Sequence, residues 1–431
     1  MNDRIKAVYQ RLQKREYRNL RGENEVVLSE AFYAGHKNLS LRSAARLLKM
    51  AEAERAVLFP EDRIGMMRTI KKIPALLTKQ ESEEIRDTHF IFDSAQVGNI
   101  SSDYEGILTQ GFQKKREQIR RQMKKFAGDE EKCEELKAMD VCIDAVELMA
   151  KKYREEAMRM GITELAEALA NVPAKAPESY YEALVMLRLL NFVLWLNGNK
   201  HNTLGRFDVY MYPFFKKDMD SGKLDREKAL ELTSEFFIDL NFDADLYPGV
   251  QQGDNGQSLV LGGAGKDGKE VYNELSEICL DASLSLNLID PKINIRVNKD
   301  TPFETYYHGT LLTKQGLGFP QYSNDDVVIP ALVKMGYELE DARSYVVAAC
   351  WEFIIPGVAY DIPNIDALNY PQVVLDAVRA KIEKCGTFEE FMTEVRKGIA
   401  YSCEAMAENT RNIFIEPSPY QSLLMTNCVK E

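Results

Sequence analysis

Residues 258–297 run SLVLGGAGKDGKEVYNELSEICLDASLSLNLIDPKINIRV, and the fold class follows from how they divide. Ser258 to Leu261 is a short β-prone run that stops at Gly262-Gly263. The glycine-rich segment as far as Gly268 reads as a turn. Asn273-Glu274-Leu275-Ser276 then opens a helix within a helical pattern from Val271 to Leu284. Asp290-Pro291 punctuates the chain again, and Lys292 to Val297 alternates polar and apolar residues as a strand does. Thr301 to Lys314 is a further helical pattern. Strands alternating with helices of this length predict an α/β sheet or barrel with helices outside.

The part before Gly198 has a different character. Leu41 to Glu54 places apolar residues at helical spacing, with Arg42, Arg46 and Lys49 expected on the solvent side. Phe112 to Met160 is a long charged helical pattern with few breakers. Ala174 to Asn197 is more apolar, and its far half, past Arg188, is expected to be buried. No internal repeat, low-complexity tract or Pro/Ser-rich linker interrupts the chain. The expectation is one unit over residues 1–431, mainly helical over 1–197 and strand-containing over 198–431.

With 431 residues, 45% of them apolar, the chain can bury a large core. A formal net charge of −12 argues against a general nucleic-acid or anionic-membrane binder. The basic run Lys114-Lys115-Arg116, continued by Arg120, Arg121, Lys124 and Lys125, has the spacing of a solvated helix face. The seven cysteines include no CxxC and the four histidines no HExxH, so the usual zinc and cluster spacings are missing and no metal is expected. The first residues are charged and lack an apolar signal region. No apolar run reaches the roughly 18 residues of a membrane span. The expected location is a reducing cytoplasm.

Chemistry concentrates in Val346-Val-Ala-Ala-Cys350-Trp-Glu352-Phe-Ile-Ile-Pro356-Gly357. A Glu in so apolar a run is costly to bury without a partner or a task, which makes Glu352 a candidate general base or acid. A cysteine among apolar neighbours suits hydrogen-atom chemistry better than thiolate attack. Such a cysteine is more often core filler, and no histidine stands close by as a base for nucleophilic chemistry. His201, in a polar loop, is a better pocket candidate than His308, which sits in a helical pattern. In Gly205-Arg206-Phe207-Asp208, the Arg and Asp either fix a polar substrate or, as the commoner arrangement, brace a strand start. Gly316 to Asp326 lacks the GxxxxGK[ST] and GxGxxG frames, so a nucleotide site is rejected.

Several segments in their order resemble the glycyl radical enzymes. They are Leu204 to Pro213, Leu261 to Gly268, Asn273 to Ser276, Ile295 to Val297, Gly316 to Pro320, Asn324-Asp325, Ala342 to Tyr345 and Cys350-Trp-Glu352. Asp103-Tyr104-Glu105 and the Arg42 to Lys49 helix extend the similarity toward the N-terminus. The resemblance implies a ten-stranded α/β barrel. This chain would supply its helical N-terminal part, its first half-barrel and the cysteine loop. It implies that Cys350 becomes a thiyl radical that abstracts a hydrogen atom, and that Glu352 acts as base on a hydroxyl or acid on a leaving group. Asp208 and His201 (or Lys200) are implied to shape the pocket, with Asp366 or Asp361 a second pocket carboxylate.

This chain departs from the family's Gly-Cys-Val-Glu-Pro pattern at Ala349, Trp351 and Phe353, and the two aromatics are expected to reshape the pocket. Asn99 stands where the family often has a substrate-binding His. The family's Arg-Val-Ser-Gly-Tyr-like radical motif does not occur in residues 1–431. The resemblance therefore implies either a truncated product or, as the reading taken forward, the large subunit of a split radical dehydratase or C–X lyase acting on a small polar substrate. A partner chain would carry the radical glycine, installed by an S-adenosylmethionine-dependent iron–sulfur activase. No cofactor is expected on this chain itself. The alternatives are an aryl-acid decarboxylase of the same family and a non-catalytic scaffold or regulatory relative.

Overall fold

The computed structural model describes residues 1–22, 24–91, 99–243, 255–359 and 365–425. Among these, nine strands occur in chain order: β1 (Phe90–Ile91), β2 (Ile100–Ser101), β3 (Asn202–Thr203), β4 (Ser258–Gly262), β5 (Lys292–Val297), β6 (Gln321–Asn324), β7 (Val346–Ala348), β8 (Glu352–Ile354) and β9 (Ile413–Phe414). Contacts group the chain into two compact units, one of residues 1–76, 98–361 and 417–431, the other of 77–97 and 362–416.

In the first unit, β2 pairs in parallel with β3, with Ile100 opposite Asn202. Strands β4, β5 and β6 are parallel in that order. A parallel bridge between Gly205 and Leu259 joins the two sets, so five parallel strands run in chain order. The crossovers carry helices Glu274–Leu286 and Phe303–Thr313, as the strand–helix–strand pattern requires of parallel neighbours. Asn273 starts the first of these helices with a capping box, its side chain accepting from the amides of Leu275 and Ser276.

The alternation in β5 is real, but its polar side is not solvent. Ile293 and Ile295 join the main core beside the helices, while Lys292, Asn294 and Arg296 are also buried. The other face of the sheet is covered by the antiparallel hairpin β7–β8. Val260 of β4 packs there with Val346, Val347, Ala348 and Ile354. Arg296 is satisfied by an ion pair with Asp325 at 2.8 Å and by the carbonyls of Arg343 and Tyr345, which hold the start of the hairpin.

The helical layer centres on Glu130–Met160, whose Leu136, Met139, Ile143, Val146, Met149 and Tyr153 form one buried stripe at helical spacing. Helix Tyr180–Asn197 is buried on nearly every side along its whole length, not only past Arg188. Arg188 is tolerated there because it pairs with Asp243 at 2.6 Å and 3.0 Å and donates to the carbonyl of Met66. Arg42 and Arg46 also depart from expectation. Both are buried and donate to the carbonyls of His36, Leu76 and Pro74, whereas Lys49 is exposed. Sequence periodicity cannot tell an arginine facing water from one facing a loop's carbonyl groups.

The second unit holds helices Tyr370–Lys381 and Phe388–Arg411 and the parallel pair β1–β9. Gly398 lets its helix approach Val373, since a Cβ there would fall 2.8 Å from Val373 Cγ1. Among the described residues no helix is long and apolar enough to cross a membrane.

Candidate active site

The register of β7 and β8 pairs Val346 with Ile354, Val347 with Phe353 and Ala348 with Glu352. The turn is therefore Ala349-Cys350-Trp351. Ala349 sits at φ +43°, a left-handed backbone that glycine adopts with least strain. The carboxylate of Glu352 closes the turn, its Oε2 accepting from the amides of Cys350 and Trp351, both at 2.9 Å. The Ala349 carbonyl accepts from Ser258 Oγ at 3.2 Å, which fixes the turn at the N-terminal end of β4.

The expected burial of this pair is overturned. Cys350 is exposed and Glu352 only half-buried. Trp351 is 62% and Phe353 42% exposed. The apolar run Val346 to Ala348 is buried against the sheet, and the turn beyond it is left uncovered by the described residues. Phe353 meets Tyr345 edge to face at 5.4 Å.

Asn99 and His201 come together. Each immediately precedes one strand of the β2–β3 pair, so the parallel register sets them side by side. Both take positive φ, +48° and +53°. His201 Nδ1 lies 3.1 Å from Asn99 Oδ1, an amide oxygen, so the imidazole N–H donates. Asn99 Nδ2 is buried without a partner among the described residues. Gly256, at φ +70°, leaves space for this imidazole, since a Cβ there would fall 2.5 Å from His201 Cδ2. This polar pair and the Cys350 turn thus share the N-terminal end of the strands, linked through residues 256–258.

Asp208 lies elsewhere. Its Oδ2 accepts from the amide of Gly262 at 2.7 Å and from Ser276 Oγ at 2.6 Å. Gly262 is at the far end of β4 from Ser258, roughly 13 Å away at ~3.3 Å per residue. Asp208 therefore braces the turn after β4 and does not stand beside Cys350. Burial pushes its carboxyl up to about 6. Arg206 braces the same turn, donating to the carbonyls of Gly262, Ala264 and Arg343. Burial, with Arg296 near it, lowers its guanidinium to about 9. Lys200 is exposed. Asp366 belongs to the second unit, exposed, with Oδ1 accepting from Ala367 N at 2.7 Å. Asp361 lies outside the described residues.

Ser258 was not singled out from sequence. Its role depends on where a distant turn docks, which no local pattern encodes. Among the described residues no group of three or more His, Cys, Asp or Glu is placed to hold a metal ion.

The chain is 24% identical over 307 residues to (2S)-3-sulfopropanediol dehydratase of Klebsiella oxytoca, covering 65% of this chain and 37% of that protein. It is 25% identical over 340 residues to trans-4-hydroxy-L-proline dehydratase of Clostridioides difficile, covering 69% and 42%. The chain thus matches about two fifths of the length of these curated relatives. Among solved structures, one of 1,2-propanediol dehydration in Roseburia inulinivorans superposes with a TM-score of 0.82 at 22% identity, covering 99% of this chain and 66% of the other. The glycerol-bound, B12-independent glycerol dehydratase of Clostridium butyricum gives 0.79 at 19%, covering 100% and 66%. The fold is therefore the barrel fold of those enzymes. Residues 68–431 match the family described as pyruvate formate lyase-like, and the chain belongs to that family of glycyl radical enzymes.

Proposed function

We propose that this chain carries the hydrogen-abstracting cysteine of a radical eliminase, a dehydratase or C–X lyase for a small polar substrate. The observation that supports it best is the hairpin turn itself, where Cys350 and the carboxylate of Glu352 are held together by two backbone hydrogen bonds at the lip of a half-barrel. A glycyl radical from outside residues 1–431, on a partner chain and installed by an S-adenosylmethionine-dependent iron–sulfur activase, takes the hydrogen atom of the Cys350 thiol, which returns the radical to glycine and leaves Cys350 a thiyl. Cys350 Sγ then takes a hydrogen atom from a substrate carbon and becomes a thiol. Glu352 accepts the proton of the hydroxyl on that carbon. The adjacent leaving group departs with its bonding pair, and the product radical recovers a hydrogen atom from Cys350. Asn99 and His201 bind the substrate's polar groups at the same end of the strands. No metal or other cofactor bound by this chain is needed for these steps. An anaerobic cytoplasm is the compartment that such a radical tolerates.

The exposed indole of Trp351 next to Cys350 favours one second reading, decarboxylation of an aryl acid. The test is anaerobic purification of this chain from its native extract, with mass spectrometry of what accompanies it. A stoichiometric chain bearing an Arg-Val-Ser-Gly-Tyr-like motif, with turnover abolished by Cys350→Ala in the reconstituted pair, supports the proposal. Turnover surviving that substitution removes Cys350 from the chemistry, and no such companion points to a scaffold.

A further inference from the structure

The opposite end of the hairpin has its own cavity. A cleft of about 730 Å³ opens between the start of helix Tyr104–Lys125, the 205–210 segment, the 265–267 turn, helix Leu339–Arg343 and residues 355–358 at the hairpin's base. Its lining is chemically uneven. Asp103, Glu105, Asp267, Glu340 and Asp341 supply five carboxylates, against only Arg206 and Lys266. Arg206 is committed to three carbonyl oxygens. Lys266 is 3.6 Å from Glu105, exposed and screened by solvent. Glu340 and Asp341 have no ion-pair partner among the described residues. Deeper in, the lining holds four buried polar atoms without partners among the described residues, Ser101 Oγ, Ser102 Oγ, Tyr104 Oη and Arg206 Nε, of which Ser101 Oγ and Arg206 Nε flank Gly205. Ser101 is fully buried and Arg206 is 7% exposed. Gly205 keeps space beside the first, since a Cβ there would fall 2.7 Å from Ser101 Oγ.

We propose that this cleft binds a small organic cation that also carries a hydroxyl or carbonyl oxygen. The ammonium faces the carboxylate rim, and the oxygen meets the buried donors, Arg206 Nε–H and Ser101 O–H, that nothing else satisfies. An anionic ligand meets the wrong rim, and a purely apolar one leaves both donors orphaned. Because residues 355–358 form the hairpin's base, occupancy bears on the same element that holds Cys350 at its turn.

Ethanolamine is the probe, with glycolate as its anionic counterpart, titrated into the full chain by calorimetry. Saturable ethanolamine binding is expected, with glycolate giving none. Glu340→Gln combined with Asp341→Asn is expected to weaken it about tenfold, the loss of about 1.4 kcal/mol of partly screened attraction. Thr109→Arg, an exposed change at the cleft's edge, is expected to abolish it with the melting temperature unchanged. Failure of ethanolamine to saturate, equal binding of glycolate, or binding untouched by both variants overturns the proposal. None of these readouts needs turnover, so they stand apart from the fate of Cys350.

Discussion

At the scale of single residues, the turn at Cys350 makes the sharpest demands. Ala349 holds φ +43°, which costs an L-residue roughly 1–2 kcal/mol, whereas glycine pays about 0.5–1 kcal/mol in unfolded-state entropy. Ala349→Gly is therefore expected to stabilise the chain by up to about 1 kcal/mol in denaturant titration. A destabilisation of that size would show that the left-handed turn is not what holds the loop. Glu352 closes the turn and, in the proposed reaction, takes up a proton, and substitution separates the two. Glu352→Gln keeps an oxygen for the amides of Cys350 and Trp351 but cannot take up a proton. Stability should change by under about 0.5 kcal/mol while turnover of the reconstituted enzyme falls on the order of 10²–10⁴-fold, the usual worth of a positioned base. Near-normal turnover would remove Glu352 from the proton transfer. The closeness of the Glu352 carboxylate to Cys350 was legible from the local sequence. The exposure of the pair was not, because an apolar run shows that a strand is buried on some face without showing where the cover ends.

At the scale of elements, β4 explains both a success and a failure of sequence reading. Its run Ser258 to Gly262 and the alternating β5 were legible, because strand patterning is local. Which end of β4 each loop serves was not. Asp208 and Cys350 both looked like pocket residues, yet they contact opposite ends of the strand. The bracing role of Asp208 carries a pH signature. Burial raises its carboxyl from 3.8 to about 6, so the folded chain holds this proton more tightly than the unfolded one. The stabilisation this confers is complete below pH 3.8 and is lost as pH rises through about 6. Each tenfold in proton affinity is worth about 1.4 kcal/mol, so the loss approaches about 3 kcal/mol. Asp208→Asn still accepts from Gly262 N and Ser276 Oγ without titrating. Its stability relative to the parent should rise between pH 4 and 7, read as melting temperature against pH. Asp62, also raised to about 6 by burial, keeps part of the slope in both proteins. Parallel curves for parent and variant would mean that Asp208 is already ionised when folded at low pH.

At the scale of the whole molecule, the half-barrel reading was legible from the order of the family-like segments, and the five parallel strands bear it out. The two-unit grouping was not legible, because the chain crosses between the units four times and only the last crossing, at Pro417-Ser418-Pro419, has even a short run of linker residues. The exposure of the cysteine turn has a consequence at this scale. A thiyl radical survives only where solvent and stray hydrogen donors are excluded, and the described residues leave Cys350 and Trp351 open. In the enzyme proposed above, the partner chain supplies that cover and encloses an aromatic. The chain's two tryptophans make this measurable, since Trp195 is 2% exposed and Trp351 is 62% exposed. In the isolated chain, acrylamide should quench one emission component readily and the other poorly. Trp351→Phe should leave only the poorly quenched one. When the glycine-bearing partner is added, the accessible component of the parent should become protected, and Cys350 should lose its reaction with an aromatic disulfide reagent while exposed Cys403 keeps it. Cys142 and Cys279 do not confuse the count, because burial holds both as neutral thiols. Protection of Cys403 without protection of Cys350 would leave the proposed radical site without its cover.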